Sequence, residues 1–143
     1  MYTRLKQELR DELTTNILPY WIKKLPDMAN GGFYGQITGH EELVLDAPKG
    51  AIMHSRILWT FSAAYRVLGN PEYLEMATRA KNFILEHFLD KELGGVYWEL
   101  TAQGEPIDTK KQFYALGFTI YGLSEYFRAT GNEEALKHAI SMF

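Results

Sequence analysis

A chain of 143 residues with 46% hydrophobic and 23% charged side chains has room for one domain with a real core, and its balance is that of a folded protein rather than a disordered one. A net charge of −3, with no run of Lys and Arg to neutralise phosphates, argues against nucleic acid as a partner. The absence of cysteine excludes a disulfide framework, an Fe–S cluster and a thiolate zinc site, and the charged opening MYTRLKQELRDEL has no signal-peptide pattern, so the cytoplasm is the expected location.

Residues 2 to about 24 are predicted as a first helix. Leu5, Leu9, Leu13, Ile17, Tyr20 and Trp21 recur at steps of three and four, which gives one buried face and one wet one. Pro19 loosens the last turn because it lacks the N–H that a helix interior needs. Asn30-Gly31-Gly32 then breaks the helix, and residues 33–38 and 43–45 read as a short hairpin around Gly39-His40-Glu41-Glu42.

Lys49 to Arg66, KGAIMHSRILWTFSAAYR, is the next helix. Between Ala51 and Tyr65 it carries one permanent charge, Arg56, and one histidine, His54, with no polar stripe at helical spacing. It is too short and too interrupted to span a bilayer. The pattern predicts a helix buried on nearly every side that carries Arg56 inward, where an unpartnered cation costs several kcal/mol, on the order of a buried-ion penalty. Gly69 ends it as a left-handed cap, and Asn70 with Pro71 opens the following helix. A turn this short makes the two helices antiparallel neighbours.

Residues 71–89 are predicted as an amphipathic outer helix. Leu74, Ala77, Ala80 or Lys81, Ile84 and Phe88 form its inner face; Glu72, Glu75, Arg79, Asn82 and Glu86 form its wet face. Gly94-Gly95 breaks the chain again, and residues 96–101 form a second short strand. The sequence then repeats. GGFYGQIT from Gly31 matches GGVYWELT from Gly94, an offset of 94 − 31 = 63, and Gly69-Asn70 matches Gly131-Asn132, an offset of 131 − 69 = 62. Asp46 and Asp108, and Arg66 and Arg128, keep the second spacing. A second inner helix, 113–127, again holds one charge, Glu125.

Repetition at this period means stacked units of one type: inner helix, tight turn, outer helix, small hairpin. The expected fold is all-α with short β-hairpins, the N-terminal portion of an (α/α)6 barrel with a helix-pair repeat of about 62 residues. A closed ring of six units needs roughly 370 residues at this period. Residues 1–143 are therefore expected to be less than half of a toroid: a first helix, two inner helices and two outer helices. An open helical array complete in itself would leave an apolar inner helix uncovered, and self-association through such exposed inner helices is a further expectation.

The run PKGAIMHSRILWTFSAAYR, with GGFYG before it and GGVYWEL after it, resembles the N-terminal part of the N-acylglucosamine 2-epimerase family, most closely its cellobiose 2-epimerase branch. The resemblance runs through the whole chain. It implies an (α/α)6 barrel and an enzyme that inverts C2 of a reducing-end sugar: the ring opens, the C2 proton leaves to give a cis-enediolate, and a proton returns on the opposite face. Two histidines act as acid and base in that mechanism, which imidazole suits near neutral pH, and no cofactor is required. Charge developing on the sugar oxygens needs a preorganised cation or donors. The resemblance places Arg56 at the arginine that contacts sugar oxygens and Tyr114 at a substrate tyrosine, while the acid–base histidines are not matched by any residue here.

Other readings stand beside these. Arg56 could instead hold a structural ion pair with Asp46 or Glu99. His54 lies about 200° round the helix from Arg56; near the helix start, it is a substrate-binding candidate if it reaches the cavity mouth and a hydrogen-bonded structural residue otherwise. His87 and His138 fall on outer helices and His40 in a turn. No histidine pair has ligand spacing, so no metal site is expected. Trp59, Tyr34, Tyr97 and Trp98 could stack a sugar but read first as packing. The function expected is C2 epimerisation of the reducing-end glucose of a β-1,4-linked disaccharide such as cellobiose, with the chain alone inactive. The alternatives are an N-acylglucosamine 2-epimerase, a non-catalytic carbohydrate- or protein-binding helical module, and a toroidal glycosidase working with two carboxylates.

Overall fold

Two copies of one helix-pair unit organise the computed structural model, which describes residues 2–143. Helix α1 (Tyr2–Glu12) runs through a π-helical turn (Leu13–Ile17) into α2 (Leu18–Lys24). The wide turn lies directly before Pro19, where the missing N–H interrupts the ordinary ladder. The expected single helix is thus present, but its expected buried face is not. Leu5, Leu9 and Ile17 are exposed and α1 buries nothing; Leu18 is the residue that enters the core. Periodicity shows which face is apolar, and no element of residues 2–143 covers that face of α1.

The inner helices are α3 (Ala51–Leu68) and α5 (Phe113–Thr130), and the outer ones α4 (Pro71–Phe83) and α6 (Glu133–Ser141). A second π-helical turn, Ile84–Phe88, extends α4. The punctuation read from the sequence forms as expected. Gly69 and Gly131 adopt left-handed conformations at φ 74° and 73°, and Asn70 and Asn132 accept the N–H groups of Glu72 and Ala135. The core lies between α3, α4 and α5, around Leu58, Phe61, Ala77, Ala80, Ile84 and Leu123, all essentially inaccessible to water.

Polar ties join the helices where sequence patterning alone predicts solvated faces. Arg66 of α3 donates to Glu125 of α5 at 2.6 Å, Thr78 of α4 meets Tyr126 of α5 at 2.9 Å, and Lys81 of α4 donates to Glu134 of α6 at 2.8 Å. Arg79, assigned by its spacing to the wet face, instead donates its guanidinium to the carbonyls of Gly32 and Asp27. Those oxygens already accept the N–H groups of Asp27 and Gly31, so the guanidinium uses their second lone pairs and braces the turn from α4.

The hairpins are slighter than predicted. Residues 33–45 make isolated bridges, Pro26 to Phe33 and Ile37 to Leu43, rather than strands. A three-stranded antiparallel sheet joins β1 (Lys49–Gly50), β2 (Glu99–Leu100) and β3 (Pro106–Asp108), with Lys49 opposite Leu100 and Glu99 opposite Asp108. Because β1 leads straight into α3 and β3 leads towards α5, this sheet sets the starts of both inner helices side by side. The Ala51 N–H donates to the Trp98 carbonyl at 3.1 Å, which ties the first residue of α3 to that sheet. Among the described residues no helix is long and apolar enough to cross a membrane.

Candidate active site

Helices α3 and α5 pack face to face, and their closeness has a specific cause. A Cβ on Gly122 would stand 2.7 Å from the Ser55 carbonyl oxygen, so only glycine lets the backbones approach this far. Beside it Ser55 Oγ and Thr119 Oγ1 share a hydrogen bond of 3.0 Å, and Thr119 also donates to the Ala115 carbonyl. One side of this pair is the core. The other is an open face.

That face carries the sequence-predicted site. Arg56 is exposed, with its guanidinium carbon 6.0 Å from the centre of the Phe118 ring. Tyr114 is 65% exposed and meets the same ring edge-on at 4.9 Å. Trp59 and Tyr121 stack at 5.0 Å, nearly parallel. The repeat explains this ladder: 118 − 56 = 62 and 121 − 59 = 62, so equivalent positions of consecutive units stand opposite one another. Aromatic faces beside a cation suit a polar ligand with apolar C–H surfaces. A cleft of about 550 Å³ adjoins the face, walled by Leu18 and Trp21 on one side and by Met53, Arg56 and Thr60 on the other.

The structure thus brings Arg56 and Tyr114 together about one aromatic ring. It corrects the expectation that Arg56 is carried into a dry interior. Burial of α3 is one-sided, through Ala51, His54, Ser55, Leu58, Phe61 and Ser62, and Arg56 lies on the uncovered side. Neither Asp46 nor Glu99 pairs with it, and among the described residues no carboxylate lies within ion-pair distance of its guanidinium.

His54, the second substrate-binding candidate, is corrected to a structural residue. It has no exposed surface and packs against Phe33, Phe83 and Phe88. The Phe33 N–H can only donate, so Nε2 accepts it at 3.2 Å and the proton sits on Nδ1, directed at the Gly50 carbonyl at 3.0 Å. Burial, with the nearby Lys49 charge adding to it, pushes the imidazole down to about 3 despite the Gly50 bond. A ring with both nitrogens committed and no path to solvent neither reaches a sugar nor moves its protons. Its counterpart 62 residues on is Leu116, which covers Gly95 as His54 covers Gly32.

The remaining aromatic and histidine candidates fall mostly to packing. His87 stacks on Phe83 at 4.5 Å and holds the Gly104 carbonyl at 3.3 Å. His40 is exposed in its turn and His138 is half-buried on α6. Trp98 and Tyr97 are half-buried under the ammonium groups of Lys110 and Lys111, at 4.9 and 4.4 Å.

Sequence reading misses two ion pairs at the starts of the inner helices, the first buried and the second half-buried. Asp27 pairs with Lys49 at 2.8 Å and Asp90 with Lys111 at 2.7 Å. The signal that finds them is the repeat itself, since 90 − 27 = 63 and 111 − 49 = 62. Burial opposes ionisation of Asp27, yet the Lys49 ammonium and the donors of Asn30 hold its carboxyl below the ordinary range. Burial pushes the Lys49 amine down in turn, against the pull of Asp27.

Residues 32–143 match the family model for N-acylglucosamine 2-epimerase. The chain is 63% identical over 139 residues to the cellobiose 2-epimerase of Bacteroides fragilis, covering 97% of this chain and 36% of that protein. It is 49% identical over 136 residues to the cellobiose 2-epimerase of Ruminococcus albus, with 95% and 35% covered. Among solved structures, the cellobiose 2-epimerase of Bacillus thermoamylovorans superposes with a TM-score of 0.95 at 44% identity, over 99% of this chain and 36% of that one. The chain therefore spans about a third of the length of the relatives it matches. Over that third, its alternating inner and outer helices bear out the expected portion of an (α/α)6 barrel. Matched by its family model and sharing the fold of its relatives, this chain belongs to the N-acylglucosamine 2-epimerase family.

Proposed function

We propose that this chain supplies the first helix pairs of a cytoplasmic sugar 2-epimerase that acts on the reducing-end glucose of a β-1,4-linked disaccharide such as cellobiose. The observation that carries the reading is Arg56: a guanidinium free of any carboxylate partner among the described residues, set on an open aromatic face. The identity shared with two cellobiose 2-epimerases favours the disaccharide over an N-acylated monosaccharide.

In this reading the open-chain sugar lies along the α3–α5 face. Removal of the C2 proton leaves the electron pair in a cis-enediolate, whose negative charge spreads over the C1 and C2 oxygens. Arg56 donates to those oxygens as the charge grows, and fixed donors of this kind are stronger where water is excluded. Tyr114 orients the sugar through its phenol group. The proton then returns to the opposite face of C2. The acid and base belong to the rest of the enzyme, since His54 is enclosed; residues 1–143 are an incomplete toroid domain whose open face the remaining helix pairs cover.

Product analysis tests this. An enzyme carrying this chain, incubated with cellobiose, should yield the C2 epimer with its glycosidic bond intact. Release of free glucose would instead support a toroidal glycosidase, and an unchanged sugar would leave a binding module.

A further inference from the structure

Each unit uses the same device to start its inner helix. In the second unit, Asp90 Oδ1 accepts the N–H groups of Glu92 and Leu93 at 3.0 and 2.9 Å, and Oδ2 accepts Lys111 Nζ at 2.7 Å. In the first, Asp27 Oδ1 accepts the N–H groups of Ala29 and Asn30, and Oδ2 accepts Lys49 Nζ at 2.8 Å. The aspartate always sits in the turn after the preceding helix, and the lysine stands two residues before the inner helix, ahead of Ala51 or Phe113. The pair therefore fastens the beginning of one helix to the end of the one before it.

In the second unit the fastening reaches a site residue directly. The Lys111 stem passes beside Gly95, its Cδ 3.6 Å from where a Cβ would stand, and Leu116 Cδ2 lies 3.1 Å from the same point. The first turn of α5 is held against the 88–97 turn at these two places, and Tyr114 leaves the helix between them. Its own ring makes a T-shaped contact with Phe118 but is otherwise largely exposed, so its direction is set by the backbone beneath it.

We infer that Asp90 and Lys111 are positioning residues for Tyr114, their ion pair fixing the helix turn from which that side chain projects, as Asp27 and Lys49 fix the start of the helix that bears Arg56. The inference rests on the reading of Tyr114 as a substrate contact. The Lys49 side chain is 1% exposed and the Lys111 side chain 32%, so the second pair is the one that tolerates substitution.

The test is spectroscopic and uses the 143-residue chain at a concentration where sedimentation shows wild type and variants to be monomeric. Carbon-labelled tyrosine rings are observed by NMR, with Tyr114→Phe assigning the signal. Lys111→Met keeps the aliphatic stem beside Gly95 and removes the ammonium. The Tyr114 signal should shift and lose its cross-peaks to Phe118, while Tyr73 and Tyr126 in the core stay in place. Lys111→Arg should restore both features, and Asp90→Asn should move the same signal as Lys111→Met. A Tyr114 signal unmoved in Lys111→Met, or a change shared by Tyr73 and Tyr126, overturns the inference, as does failure of the arginine to rescue. No turnover is needed, so a failed epimerisation assay does not touch this result, and a failed result here leaves the epimerase reading standing.

Discussion

His54 shows how a residue type that suggests chemistry can be committed to structure. Its imidazole is neutral in the folded chain and ordinary in the unfolded one, with values of about 3 and 6.5. The unfolded state therefore binds more protons below pH 6.5, and the folded state loses stability as pH falls from there towards 3. Chemical denaturation at pH 7 and pH 5 should differ by about 2 kcal/mol on this account. His54→Leu should flatten the dependence over that interval even though it leaves the Phe33 N–H unpaired, and an equal slope in both proteins would contradict the assignment. The glycines of the two turns make a second, sharper contrast. Gly32 has φ 60° and a Cβ there would stand 2.8 Å from the Phe83 ring, whereas Gly94 has φ 74° with open space around it. Gly94→Ala should cost about 1–2 kcal/mol, the left-handed penalty alone. Gly32→Ala adds overpacking and should cost about 2–5 kcal/mol in the same denaturation measurement.

Between helices, contact rather than propensity decides. Gly122 carries no special backbone angle, yet a methyl group there would meet the Ser55 carbonyl at 2.7 Å. Gly122→Ala should destabilise by about 1–3 kcal/mol despite raising helix propensity, and a gain in melting temperature would show that α3 and α5 can separate at no cost. The helix ends were legible because Gly69, Asn70, Gly131 and Asn132 act locally, through their own backbone and side-chain bonds. The hairpins form less fully than the pattern predicts, since short alternating runs show which side chains share a face but not how much backbone pairing follows. The sequence pattern puts Arg56 in the interior because an apolar run reveals that a helix is wanted by neighbours, not which side of it residues 2–143 cover. Asp27 and Lys49 went unseen for another reason: acidic and basic residues in turns read as solvated, and partners 22 positions apart leave no local spacing. Only the internal repeat relates them to Asp90 and Lys111. Within the candidate site, Arg56 stands out in the sequence as the one permanent charge of an apolar helix, its role and Tyr114 come from family resemblance, and the aromatic ring the two share is visible only in three dimensions.

At the scale of the whole molecule, the open α3–α5 face ties the account together. Phe113, Tyr114 and Tyr121 stand exposed there, joined by the uncovered Leu5 and Leu9 of α1 elsewhere on the surface. Apolar area of this kind seeks a cover, so sedimentation of the isolated chain should show association that grows with concentration. The isolated chain should also fail to exchange the C2 proton of cellobiose with solvent, because no residue here matches the family's acid–base histidines and His54 is enclosed. The central claim is that Arg56 stabilises oxygen charge during that exchange in the proposed epimerase. The direct measurement is the rate of deuterium incorporation at C2 from heavy water, compared between such an enzyme and its Arg56→Ala variant. The predicted result is a fall of roughly 100- to 1000-fold, the size of losing one oxyanion donor, and equal rates in the two proteins would contradict it.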